Sequence, residues 1–211
     1  MAEAHLLRIS RDRRPRASGA PLAHAALLAV AAAACGRAAP GVEGPVQGPA
    51  PRSYTADQVF TVEVWGAPAP DTAVTFAAAA GRSIVLRHGP PDNTVFAQVD
   101  LPAKALAAPA GRDSVTVSIH PVPGVYGVVL ESDGALSLPI MLTFKYPVHF
   151  AAPADSRTRY ATDFQFEQAL AVALVEGDGT RFQTLRSTRP ASDNLQAQVS
   201  ALGRYQLVAP R

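Results

Sequence analysis

From position 54 onward the apolar residues recur at every second position, in short runs cut by glycine, proline, aspartate and asparagine. That is the pattern of strands that bury one face and expose the other. The first run, Val59-Phe60-Thr61-Val62-Glu63-Val64-Trp65, stops at Gly66-Ala67-Pro68-Ala69-Pro70-Asp71. Residues 72–76, 83–87, 94–101, 114–122, 124–131 and 138–146 repeat it, and 170–175, 181–185, 195–200 and 205–208 carry it to the C-terminus. Strands at such short intervals, with no long amphipathic helix between them, predict an all-β fold, an antiparallel β-sandwich.

Two segments depart from the alternation. Ala77-Ala78-Ala79-Ala80 has high helix propensity, but four residues do not nucleate a helix and Gly81 ends the run. Residues 157–168 hold Tyr160, Phe164 and Phe166 among polar neighbours, and a strand is expected over 164–169. Gly89-Pro90-Pro91-Asp92-Asn93 is long enough for a turn only, so residues 54–211 are expected to form one domain.

Ahead of that domain the pattern changes twice. A basic stretch with Arg8, Arg11, Arg13, Arg14 and Arg16 precedes an apolar run that ends in small residues, the layout of a secretory signal over residues 1–34. The apolar stretch from 21 to 34 is 14 residues, short of the ~20 that a bilayer core demands. Residues 35–53 contain four prolines and four glycines with almost no large apolar side chain, and so predict a disordered tether. At ~3 Å per residue in its proline-rich parts, it would reach about 50 Å.

Between signal and tether stands Cys35, the only cysteine of the chain. Its place directly after Ala31-Ala32-Ala33-Ala34 resembles the lipobox of bacterial lipoproteins, although Ala32 occupies a position where leucine is usual. The resemblance implies lipidation of Cys35, a membrane partner reached through that lipid, and residence in the bacterial cell envelope. The alternatives are cleavage within the alanine run, with Cys35 left as a free thiol, and release to the periplasm or the exterior.

Charge fits an exported chain. The sequence has 19 basic and 17 acidic side chains, but five arginines and only Glu3 and Asp12 fall within 1–34, leaving 14 against 15 in the remainder. A nearly neutral domain offers no concentrated basic face, so nucleic acid is not an expected partner.

The later strands resemble a known family. Leu101-Pro102-Ala103-Lys104-Ala105-Leu106, Val115-Thr116-Val117-Ser118-Ile119 and the run from Val129-Leu130-Glu131-Ser132-Asp133-Gly134 to Pro139-Ile140-Met141-Leu142-Thr143 resemble the ZU-five domain. This is the zonula occludens, netrin receptor and ankyrin type of β-sandwich. Gln196-Ala197-Gln198-Val199-Ser200-Ala201-Leu202-Gly203-Arg204-Tyr205-Gln206-Leu207-Val208 resembles the family's closing strands, so the likeness covers residues 94–208. It implies a scaffold that docks other proteins, here another envelope protein. Some members cut their own backbone at a His-Phe-Ser tripeptide. Ala201-Leu202-Gly203 stands at the matching place, without histidine or serine, and self-cleavage is not expected.

Other chemistry leaves few marks. His88, His120 and His149 are far apart in sequence, each beside a strand end, and outside any ligand-spacing motif, so they are expected at the surface or in loops. No metal site, cofactor or catalytic residue is assigned. Glu176-Gly177-Asp178-Gly179-Thr180 lacks the alternating oxygen ligands of a calcium loop and predicts a hairpin turn, as does Ser132-Asp133-Gly134. Trp65, the only tryptophan, is expected in the core, since large aromatics dominate core energetics. The expectation is therefore a non-enzymatic, envelope-anchored binding or structural protein. One alternative is a carbohydrate-binding surface module, marked by exposed aromatics beside Trp65, Tyr54 or Tyr126. The other is a metal-dependent hydrolase, which needs the histidines to converge with one another or with a carboxylate.

Overall fold

Residues 114–121 bury every second side chain whereas 203–210 bury five in succession, and the inward positions of the strands face one another between two antiparallel sheets. The computed structural model describes residues 46–47, 50–146 and 150–211. The first strands are β1 (Val46–Gln47), β2 (Ser53–Thr55), β3 (Val59–Thr61) and β4 (Glu63–Val64). Next come β5 (Thr72–Ala77), β6 (Arg82–Arg87), β7 (Val95–Leu101), β8 (Leu106–Ala107) and β9 (Ser114–Pro121). They are followed by β10 (Gly127–Ser132), β11 (Ala135–Leu136), β12 (Ile140–Lys145) and β13 (Phe150–Ala151). A seven-residue helix, α1 (Asp163–Ala169), leads to β14 (Ala171–Glu176), β15 (Arg181–Thr184), β16 (Ser187–Arg189), β17 (Asn194–Val199) and β18 (Gly203–Pro210).

The smaller sheet has the order β1-β16-β17-β12-β7-β6 and the larger β2-β15-β14-β18-β10-β9-β5, with β3 also paired to β18. Two ribbons, β8–β11 and β4–β13, complete the pairing. Leu86, Val99, Leu142, Phe144 and Leu195 of the smaller sheet join Val117, Ile119, Val128, Tyr205 and Leu207 of the larger in one core. The Phe96 and Tyr126 rings stack across it with centroids 5.3 Å apart. The outer face of the larger sheet carries a second apolar cluster of Val59, Ala173, Val175, Phe182 and Val208, with Tyr54 packed on it. Tyr205 at the start of β18 donates its hydroxyl to Ala201 O at 2.7 Å, a tyrosine corner in form. Burial pushes that phenol up to about 12.

Three sequence expectations change. Residues 164–169 are helix rather than strand: Thr162 accepts from Gln165 N at 3.2 Å, while Gln165 Oε1 accepts from Ala161 N at 2.9 Å. The first bond satisfies an amide that the first helical turn leaves orphaned, and the second ties down the residue ahead of the cap. Phe166 then points into the core at 0% exposure and touches Phe60, Tyr160 and Phe150, closing one end of the sandwich. The run 59–65 splits at Val62, because β3 pairs with β18 whereas β4 pairs with β13. Finally, described residues of the 35–53 stretch, expected as tether, lie in the sheets. Val46–Gln47 pairs with Thr188 and Arg189, and Arg52 N donates to Thr184 Oγ1 at 2.8 Å. Edge strands β15 and β16 present unpaired amides and carbonyls, and this stretch supplies partners.

The expected turns are present. Gly177, Asp178 and Gly179 all have positive φ between β14 and β15. Asp133, between β10 and β11, does more than turn the chain: its carboxylate accepts from Thr116 N at 2.8 Å and from Arg112 at 2.8 Å. These contacts, the amide first, hold its carboxyl below the usual aspartate range. A depressed folded-state value means stability that is present above the unfolded value and lost as the pH falls through the folded one. Asp133→Asn should therefore flatten the acid side of the stability profile, below about pH 4, in urea unfolding run as a function of pH.

Gly127 is fixed by close approach. It sits opposite Gln206 in the β10–β18 register, and a Cβ there would lie 2.7 Å from Gln206 Cγ and 2.9 Å from Tyr205 O. The carbonyl belongs to the central strand and cannot yield without loss of pairing. Gly127→Ala should cost about 1–3 kcal/mol, measured as a shift in the urea midpoint at constant slope.

Candidate functional site

At one end of the sandwich, β4 is tied to the turn before β10. Val64 N donates to Gly124 O at 3.2 Å, and Tyr126 N to Val62 O at 2.9 Å. The loop after β4 is held against the β6–β7 hairpin, where Gly89 N donates to Pro68 O at 3.2 Å. Between these pieces lies a pocket of about 280 Å³, walled by Val64, Pro68, Phe96, Pro121 and Pro123, with His88 and Asp71 as its ionisable residues. Proline walls have few conformers to lose, so the cavity is preformed and apolar, with two polar groups able to orient a guest.

His88 lies in the loop directly after β6, one of the placements expected for it, but is buried there at 2% exposure and not at the surface. Its Nδ1 lies 3.1 Å from Ala67 O, and its ring packs edge-on against Phe96 at 5.3 Å. It joins the hairpin to the β4–β5 loop, and burial follows because both the ring and the loop are covered by Phe96 and Tyr126. His120 stays on the outer face of the larger sheet, as expected, with Nδ1 3.0 Å from Asp71 Oδ2 and Nε2 3.9 Å from Glu131 Oε2. Asp71 thus touches both places, lining the pocket and holding His120. His149 lies outside the described residues, and so does Cys35 with the whole of 1–34. Among the described residues no group of three histidine, cysteine, aspartate or glutamate side chains is placed to hold a metal ion.

Trp65 is 63% exposed, and the core placement expected for it does not hold. Val62 and Val64 take the inward positions of their segment. Among the described residues, β4 is paired by the two-residue β13 and by one isolated bridge from Glu63 to Val125, and the side carrying Trp65 is exposed. Of the tyrosines named with Trp65 for carbohydrate binding, Tyr126 is buried in the core, and Tyr54 packs on the outer cluster of the larger sheet. A second exposed aromatic was missed from sequence. Phe164, on α1, is 67% exposed. Phe150 pairs with Val64 and packs on Phe166 of α1, so Trp65 and Phe164 flank the same end of the sandwich.

The outer face of the smaller sheet is different in kind. Ser83, Asp100, Met141 and Gln198 line an open cleft of about 500 Å³, and a second of about 410 Å³ adjoins it at Met141 and Gln198. Gln98 donates to both oxygens of Asp100 at 2.9 Å, so that carboxylate is already engaged. The surface is flat and amide-rich, with no aromatic platform among its lining residues.

The fold and pocket together define an antiparallel β-sandwich with an apolar end pocket, and Trp65 is exposed on the outward side of the segment that supplies Val64 to it. No known family model matches the chain, no curated protein matches its sequence, and no solved structure matches its fold.

If Trp65 is a surface residue with no packing role, Trp65→Ala should change stability by no more than about 0.5 kcal/mol. The native protein should also show red-shifted emission that acrylamide quenches nearly as well as it does in urea.

Proposed function

We propose that this chain is a non-catalytic binding protein of a bacterial cell envelope, exported by residues 1–34, held to a membrane by lipid on Cys35, and presenting its sandwich through the stretch that follows. The observation that carries the binding reading is the apolar pocket beneath Val64 and Phe96, and the exposed ring of Trp65 on the other side of the same segment adds to it. A preformed apolar cavity and a large exposed aromatic each favour recognition of another molecule over solvation. The strand pattern over 94–208 supports a ZU-five-like docking scaffold, and another envelope protein is the partner class that this reading favours. Among the described residues no helix is long and apolar enough to cross a membrane, so attachment in this proposal rests on Cys35.

A carbohydrate-binding module is the second reading, favoured by Trp65 alone. As the chain's only tryptophan it reports directly on any sugar stacked against it. Soluble glycans that leave its emission unchanged would remove this reading. The anchor is tested by mass spectrometry of the mature N-terminus from a bacterial host. A diacylglyceryl adduct on Cys35 is expected, and Cys35→Ala should abolish both the adduct and membrane retention. An unmodified peptide starting at another residue would overturn the anchor.

A further inference from the structure

Among the described residues four large apolar side chains are exposed, Trp65, Val85, Leu138 and Phe164. The two largest lie at one end of the sandwich, and the strand registers show what else reaches that end. Val64, the neighbour of Trp65, pairs with Phe150, whose ring packs at 6.0 Å on Phe166 of α1, the helix that carries Phe164. Val46 pairs with Arg189, and the Arg189 guanidinium donates to Glu167 O on the same helix. From there β1 runs away from α1, since Gln47 pairs with Thr188. The chain therefore enters the sandwich at the end where Trp65 and Phe164 are exposed. Ten residues, 36–45, separate Cys35 from this entry, and fully extended they span at most about 35 Å. Leu138 stands at the opposite end, because it precedes Ile140, which pairs with Val199, whereas Lys145 at the other end of β12 pairs with Asn194.

We propose that this end of the sandwich docks on the lipid surface to which the chain is anchored, with the rings of Trp65 and Phe164 seated among the headgroups. The proposal rests on the lipid at Cys35 and adds to it the face of the domain that meets the bilayer. Large aromatic rings favour that zone, and indole most of all, because it has an apolar body and one polar N–H for the wet side. Free in solution, two rings would hold a membrane only weakly. On a tether of this length docking becomes an intramolecular step with the surface always within reach, so a weak contact suffices. Charges on the segment leading into α1 are paired within the domain, Arg157 with Asp163 at 2.6 Å and Arg211 with Asp155 at 2.7 Å. The contact is therefore apolar in kind and forms on neutral lipid.

The test uses the exported chain, purified from a bacterial host and carried on phosphatidylcholine vesicles with brominated acyl chains. It is held there by its own lipid, or by a maleimide lipid coupled to the Cys35 thiol where mass spectrometry finds that thiol free. A free thiol would thus overturn the native anchor while the docking face is still read, and a mature chain lacking Cys35 would overturn both. On the vesicles Trp65 emission should shift to the blue, lose most of its intensity to the bromines and escape acrylamide. Phe164→Ala should reduce that bromine quenching. Phe164→Trp in a Trp65→Ala background should show the same loss of emission, whereas Leu138→Trp in that background should stay red-shifted and open to acrylamide. All three positions are exposed, so the exchanges spare the core. A ring at 65 or 164 left open to acrylamide, or equal bromine quenching at 65 and 138, would overturn the proposal. So would a blue shift of Trp65 that requires another envelope protein in the vesicles, which would assign the ring to a protein partner. Should a variant fail to fold, the reading from Trp65 in the unaltered chain decides.

Discussion

The larger sheet depends on one strand, and that strand is the last in the chain. β18 pairs along one side with β14 and along the other with β10 and then β3. Its inward residues Tyr205 and Leu207 belong to the main core, while Val208 belongs to the outer cluster. Until residues 203–210 arrive, β14 and β10 each lack one neighbour, and the two halves of the sheet, β2-β15-β14 and β10-β9-β5, are not joined. The pairings reach from Thr61 to Val208 and from Gly127 to Gln206, so the loop-closure cost is paid late and across long sequence separations. The tyrosine corner at Ala201 and the glycine opposite Gln206 both fix how β18 enters. The pocket walls inherit its position through Val62, whose amide donates to Leu207 O.

Much of this was legible in the sequence, for a plain reason. Where one face of a strand is packed and the other wet, alternation encodes both the element and its orientation, and β6, β9 and β17 follow it closely. Legibility failed where burial no longer followed alternation. Phe164 and Phe166 sit two apart and mimic a strand. The signal for helix was the Thr162-Asp163-Phe164-Gln165 capping pattern, visible in the sequence but set in too short a segment to show helical periodicity. Trp65 lies on the same side of its run as Val59, yet only Val59 is covered, because coverage depends on which strands arrive alongside. His88 and Arg189 were illegible as buried residues for the same cause: both lie at the ends of sheet strands, where tertiary neighbours decide exposure.

The faces of the sandwich divide their roles by chemistry. The outer surface of the smaller sheet is amide- and hydroxyl-rich, that of the larger carries the apolar cluster around Val175 and Phe182, and carboxylates are already engaged by Gln98, Arg112 or His120. The unspent binding capacity gathers at the end closed by α1 and the β4–β13 ribbon. There an apolar pocket and two exposed aromatic rings occur within a few elements of each other. Strand ends and loops can carry such features because a packed core elsewhere holds them in place.

The placement of β1 and β2 has a mechanical side. Chain entering from residue 45 joins the edge of the smaller sheet at β1 and, a few residues later, the edge of the larger sheet at β2. Any tension transmitted along the N-terminal segment is thus met first by these two short edge pairings, which share two and three residue pairs with their neighbours. They can part and re-form without disturbing β12, β17 or β18. Load on this end of the domain would part these edge pairings before it reached the core strands.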